Sequence, residues 1–266
     1  MRALDELEST GLEGVGNPFG LFFSPDGQWI GFFDGATVLK KVAATGGRPM
    51  TVSLVGNYNP RGASWSADDT IVFATSDQTS GLFRVAAAGG EREVLTTPNA
   101  AQRELDHLWP EVLPGGDAVL FTITTGAGTD QAQIAVLDLR TRTQKVVIRG
   151  GSHAHYVPTG HLVYAVSGTL RAVAFDLNRL EAVGTPVPIL EQVLTNTNGA
   201  ANVSLSGDGT LVYVPGAQVA ARTLVWVDRQ GRETPLTAPS MRVGGVKLLL
   251  SPGRRNTEPP ERPFTS

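Results

Sequence analysis

The sequence predicts an all-β protein: a β-propeller of four-stranded blades, about five blades plus the first strand of a sixth. Three observations predict it. A turn of the type Ser-Pro-Asp-Gly, or a variant of it, begins at residues 24, 66, 113, 157, 206 and 251. Each of the first five turns leads into a run rich in Val, Ile, Phe, Leu or Tyr with turn residues on both sides, which is the strand signal. The 266 residues include 31 Gly and 17 Pro, more than average usage, in no collagen-like or low-complexity pattern. Four short antiparallel strands per interval of this size make one propeller blade.

The elements follow in order. The turns are Ser24-Pro25-Asp26-Gly27, Ser66-Ala67-Asp68-Asp69, Leu113-Pro114-Gly115-Gly116, Val157-Pro158-Thr159-Gly160, Ser206-Gly207-Asp208-Gly209 and Ser251-Pro252-Gly253. The runs after them cover 29–33, 70–73, 118–123, 161–164 and 210–214, and a further run follows at 81–85, 133–138, 170–175 and 223–228. Glycine pairs at 46–47 and 89–90 mark tight turns, and short closing strands are expected at 93–95 and 145–148. Helical periodicity is missing. A β-sandwich would explain the strands but not the recurrence of one turn at similar intervals. The expected organisation is an incomplete propeller over 1–252 and an irregular tail over 253–266. In that tail Pro259, Pro260 and Pro263 oppose the strand that is due there. The chain therefore reads as a piece of a longer protein, ending in a truncation or a shifted frame. A closed or nearly closed ring is expected.

The formal net charge is −3 with His neutral, and charged residues are 18% of the chain. A basic stripe of the kind a nucleic-acid binder carries is missing, so nucleic acid is not an expected partner. With 0 Cys, disulfides and thiolate metal sites are excluded. The opening segment MRALDELEST has acidic residues where a signal peptide needs an apolar core. No run approaches the roughly 18 apolar residues of a membrane span. The compartment is left open.

In a propeller the first strand of each blade lines the axis. Counting four residues back from each turn gives Gly20, Gly62, Trp109, His153, Asn202 and Lys247 as a candidate ring. His153 and His155 stand at i and i+2, a spacing that puts both imidazoles on one face of a strand and suits metal ligation. The pair Asp106-His107 is the candidate source of a third ligand, although no metal or other cofactor is expected. Glu104, Asp106 and Glu111 are the candidate carboxylates for glycoside hydrolysis, which needs two on one cleft. Ser152 and His153 are strand neighbours that face opposite sides, so they do not read as a catalytic dyad. Asp26, Asp68 and Asp208 read as turn residues that bond their own backbone. Trp29 and Trp65 read as packing between blades. The stretch 124–129 lacks the Gly-Lys-Ser/Thr of a phosphate loop and reads as a hairpin tip.

The segment Phe22-Phe23-Ser24-Pro25-Asp26-Gly27-Gln28-Trp29-Ile30 and its echoes resemble the TolB-like propeller repeat. Pro60-Arg61-Gly62-Ala63-Ser64-Trp65, Trp109-Pro110-Glu111-Val112-Leu113-Pro114-Gly115-Gly116 and Leu224-Val225-Trp226-Val227-Asp228-Arg229-Gln230-Gly231 are similar to the propeller that follows the kinase domain in bacterial serine/threonine protein kinases. The resemblance covers roughly residues 2–252. It implies a propeller lying beyond the cytoplasmic membrane. It carries no kinase activity, because the glycine-rich loop, the His-Arg-Asp loop and the Asp-Phe-Gly motif are missing. The expected function is non-catalytic binding of a protein partner or a small ligand by Arg61, His107, Trp109, His153, His155 and Asn202. The alternative is a hydrolase acting in the channel, as a glycosidase, an esterase or a lactonase.

Overall fold

A computed structural model describes residues 12–126, 128–205 and 211–216, with the short strands Val225–Val227 and Glu233–Pro235. The chain divides into two compact units, Met1–Gly216 and Ala217–Ser266. The first unit holds four whole blades. Blade 1 is β1 (Pro18–Phe23), β2 (Trp29–Asp34), β3 (Val38–Ala43) and β4 (Met50–Leu54). Blade 2 is β5 (Pro60–Trp65), β6 (Thr70–Thr75), β7 (Leu82–Ala86) and β8 (Glu93–Val94). Blade 3 is β9 (Asp106–Val112), β10 (Ala118–Thr124), β11 (Gln133–Asp138) and β12 (Thr143–Arg149). Blade 4 is β13 (Ser152–Val157), β14 (His161–Val166), β15 (Thr169–Asp176) and β16 (Glu181–Leu190).

In every blade the strands pair in sequence order and run antiparallel. Two hairpins then continue the series: β17 (Val203–Leu205) with β18 (Leu211–Tyr213), and β19 (Val225–Val227) with β20 (Glu233–Pro235). They occupy the sequence positions of the fifth blade, β17 and β18 in the first unit and β19 and β20 in the second. The helical elements among the described residues are 3₁₀ turns at Ala100–Gln102 and Thr129–Gln131. The first strand of a sixth blade, expected at 246–252, the tail at 253–266 and, with them, closure of the ring lie outside the described residues.

Alternation along the central strands explains the packing. In β6, Ile71 and Phe73 face blade 1, where they join Phe22, Phe33, Leu39 and Val52. Val72 and Ala74 face blade 3, where they meet Val119, Phe121 and Ile123. Blade 3 gives its other face, Leu120, Ile134 and Val136, to Leu162, Tyr164 and Val173 of blade 4. Blade 4 in turn buries Val163, Ala165 and Leu170 beside Val203, Leu205 and Leu211. Blades 2, 3 and 4 are thus each buried on both faces, which a lone sheet of this size cannot achieve. This is why the central strands read as unbroken apolar runs.

The turns behave as the sequence predicts. Asp26 accepts from the Gln28 N–H and the Ser24 hydroxyl. Asp68 accepts from both the N–H and the hydroxyl of Thr70. The hydrogen bonds to Asp26 hold its carboxyl below the usual range. Asp208 lies outside the described residues. Trp65 is buried against Phe22 with ring centroids 6.2 Å apart, and Lys41 lies over the rings of both Trp29 and Trp65.

Candidate functional site

The innermost strands β1, β5, β9, β13 and β17 line one cavity of 340 Å³. Each of the first four carries an irregularity in its pairing with the next strand. At that point one residue takes a left-handed conformation: Gly20 (φ 60°), Gly62 (φ 95°), Trp109 (φ 55°) and His153 (φ 51°). These are the first four positions of the ring counted back from the turns. Glycine adopts such a φ freely. Trp and His pay steric strain for it, on the order of 1–2 kcal/mol each.

The glycines make room for the rings. A Cβ on Gly62 would stand 3.0 Å from the Trp109 ring and 3.1 Å from its Cα. The Trp109 ring therefore lies against bare backbone on one side. On the other it meets His153, with centroids 5.2 Å apart, and His153 meets His155 at 4.6 Å. Blades 3 and 4 so present a ladder of three rings, while blades 1 and 2 present Gly20, Leu21, Gly62, Ala63 and Ser64.

In blades 2 and 3 the side chain two residues before the turn fastens the inner strand to the next one. Ser64 accepts the Val112 N–H at 3.0 Å. Glu111 accepts the Tyr156 N–H at 2.7 Å with one oxygen and the His155 Nδ1–H at 2.6 Å with the other. Nε2 of His155 is buried and has no hydrogen-bond partner.

The connection after β16 closes onto the rim of blades 3 and 4. Trp109 Nε1 donates to the carbonyl of Asn198 at 3.2 Å, and the Ser152 hydroxyl donates to the carbonyl of Gly199 at 2.7 Å. The Ala201 N–H donates to His153 Nδ1 at 3.1 Å. That last bond settles the tautomer: in the neutral ring the proton sits on Nε2. Burial, reinforced by the neighbouring His155, holds His153 well below the usual histidine range, so the ring is neutral at pH 7.

The structure brings together only part of the candidate set. Trp109, His153, His155 and Glu111 line the cavity, whereas Arg61, His107, Asn202, Glu104 and Asp106 do not. The Arg61 guanidinium donates to the Pro60 carbonyl and the Asn202 amide donates to the Leu194 carbonyl.

His107 is 0% exposed and packs between blades, its ring 5.0 Å from Phe121. Thr96 Oγ1 accepts the Leu82 N–H at 2.9 Å and donates its own proton to His107 Nδ1 at 2.8 Å. The ring then donates from Nε2 to Glu104 at 3.1 Å, and Glu104 also accepts the Asn99 N–H. Burial lowers the His107 pKa against the opposing pull of Glu104. The carboxylate and imidazole of this chain are thus spent on each other.

Asp106 is buried at the start of β9 and accepts the His107 N–H. Burial pushes its carboxyl up to about 7, opposed by that hydrogen bond and by the charge of Arg61.

These placements bear on the chemistry open to the site. Of the three candidate carboxylates only Glu111 faces the cavity, so the pair that glycoside hydrolysis uses is not assembled from them. Among the described residues no three His, Cys, Asp or Glu side chains converge as a metal site would require. His153 also lacks a free lone pair, since Nδ1 accepts from Ala201 and Nε2 carries the proton. Ser64 and the connection over 196–201 escaped the sequence reading. The Ser64 signal was present, because it stands at the same offset from its turn as Glu111 and His155.

No protein-family model matches the sequence, and no curated protein matches it. Solved structures do. A chain of a nidogen–laminin complex is 14% identical with a TM-score of 0.56, over 81% of this chain and 78% of that one. Regucalcin from Agrobacterium tumefaciens, described as a calcium-binding protein, is 12% identical with a TM-score of 0.55, over 82% and 72%. TolB from Acinetobacter baumannii is 18% identical with a TM-score of 0.50, over 83% of this chain and 52% of TolB, about half its length. At such identities likeness speaks for fold and not for function. The protein is a β-propeller by blade architecture and by structural likeness alike.

Proposed function

We propose that the chain is a non-catalytic propeller module that binds a small ligand or a protein partner through its axial cavity. The observation that supports this most is the convergence of Trp109, Glu111, His153 and His155 on one wall of a 340 Å³ cavity. Two of the four hold strained backbone where the neighbouring blades use glycine. Strain at non-glycine residues is retained where the side chain has a task. The cavity volume falls at the small end of the range of about 300–1,000 Å³ typical of ligand sites.

The resemblance to propellers that follow kinase domains supports a place in a larger bacterial signalling protein, as its sensor or interaction part. In that setting the propeller stands outside the cytoplasmic membrane. Among the described residues no helix is long and apolar enough to cross a membrane.

The test is a small-molecule screen by tryptophan fluorescence on the full chain, repeated with Trp109→Ala and His153→Ala. A saturable change that both variants abolish supports the reading. Saturable binding that neither variant weakens overturns it, and turnover of the bound compound by wild-type protein overturns its non-catalytic part.

A further inference from the structure

We infer that the ligand of the axial cavity is the ring of a neutral sugar. This rests on the binding reading above and goes on to the chemistry of the ligand. Among the described residues, no Lys or Arg lines the cavity. A phosphate, carboxylate or sulfate would find no cation there to repay its desolvation.

Among the described residues Glu111 is the one carboxylate of the lining, and its two oxygens already accept from His155 and from the Tyr156 N–H. Those two bonds spread part of its charge over blade 4, so it draws an ammonium group less strongly than a free carboxylate would. What the wall leaves free is mixed and uncharged. His153 offers an Nε2 proton, because its Nδ1 accepts from Ala201. Ser64 offers its hydroxyl proton, because its oxygen accepts from Val112. His155 Nε2 also has no partner, but it is buried and stands behind the surface of the wall.

A hydroxyl both donates and accepts from one oxygen, so it can take the proton of His153 or of Ser64 and still donate its own. Several hydroxyls on one rigid ring match the several free groups. The rest of the lining suits the body of such a ring. The Trp109 ring and the apolar Leu21, Ala63, Val203 and Leu205 supply the nonpolar contacts that its C–H faces need. The glycine backbone at Gly20 and Gly62 leaves the width.

The test titrates the full chain with glucose, galactose and N-acetylglucosamine, and with glucuronate, glucosamine and glucose 6-phosphate as charged controls. Tryptophan fluorescence and the imidazole proton resonances are followed together. At least one neutral sugar should bind saturably and shift the His153 and His155 resonances. The charged forms should bind at least about tenfold more weakly, which is about 1.4 kcal/mol. Trp109→Ala and His153→Ala should each weaken binding about tenfold or more, as for side chains at the centre of a contact. The resonance shifts come from wild-type protein and stand even where a variant fails to fold.

Three results overturn the inference. Charged forms binding as well as neutral ones would do so, as would neutral sugars binding without moving the histidine resonances. So would silence of all neutral sugars. In that last case a second panel of uncharged amides, amines and carboxylic acids is run. Binding there that Trp109→Ala abolishes leaves the cavity a binding site for another ligand class. Silence there removes small-ligand binding as well.

Discussion

Glu111 in blade 3 holds two different groups of blade 4: the imidazole of His155 at 2.6 Å and the backbone N–H of Tyr156 at 2.7 Å. An inner strand has one edge turned to the axis and without a neighbouring strand. Its N–H groups must be satisfied by something else. Glu111 does this for blade 4 as Ser64 does for blade 3. Truncation to Ala strands both a backbone donor and an imidazole donor. Glu111→Ala is expected to cost about 1–3 kcal/mol, and Glu111→Gln, which keeps an acceptor, less. Urea unfolding of the three proteins checks this order.

Two glycines separate steric room from backbone conformation. A Cβ on Gly81 would lie 2.4 Å from Thr96 Oγ1 and 2.6 Å from His107 Nδ1, with no left-handed φ recorded. A Cβ on Gly27 would meet nothing, but φ there is +68°. Gly81→Ala should push apart the Thr96–His107–Glu104 chain and cost about 1–3 kcal/mol. Gly27→Ala should cost about 1 kcal/mol from backbone strain alone. The His107 imidazole resonances should move in the first variant and stay in place in the second.

His153 holds φ 51°, so the choice of replacement matters more than its size. Asn visits the left-handed region readily, whereas a β-branched residue there is an outlier. His153→Asn should unfold at a higher temperature than His153→Val, by the equivalent of about 1–2 kcal/mol. Equal melting temperatures would contradict the strained backbone at this position.

The buried carboxyl of Asp106 sets a pH dependence with a definite sign. Its pKa rises from 3.8 to about 7 in the folded protein. Between those values the folded state binds more protons than the unfolded state, so stability falls as pH rises through that window. The slope contributed is at most about 1.4 kcal/mol per pH unit. Urea unfolding from pH 4 to pH 7, compared with Asp106→Asn, should show that the variant loses this downward slope.

His107 and His153 act in the opposite sense, because both pKa values are lowered. Their contribution is present above the ordinary histidine value of 6.5 and is lost as pH falls below it. Removing the Thr96 hydroxyl with Thr96→Val leaves the Leu82 N–H and His107 Nδ1 without their shared partner. The expected cost is about 1–3 kcal/mol at neutral pH, read by urea unfolding.

Much of the architecture was legible in the residues themselves. The recurring turn rests on Pro and Gly and, at Ser24, Asp26 and Asp68, on side chains that bond backbone N–H groups a few residues away, and that chemistry is local. The central strands of blades 2, 3 and 4 are apolar on both faces because those sheets are covered twice, so runs such as Thr70-Ile71-Val72-Phe73 announce the stacked blades directly. Counting back from the turns even located the four left-handed positions at Gly20, Gly62, Trp109 and His153.

The tertiary structure alone decided which polar groups reach the axis. Period-two reasoning fails at the irregularity in each inner strand, where one left-handed residue changes which side chains face inward. Trp109 and His153 end up in the cavity, while His107, two residues before Trp109, turns between blades to Thr96 and Glu104. The tautomer of His153 depends on the backbone of Ala201, 48 residues away. Such bonds join parts of the chain that no local pattern relates. The sequence by itself thus determined a repeating β-blade and its turns, because those rest on neighbours along the chain. The character of the site rests on neighbours across blades, and only the assembled fold chooses them.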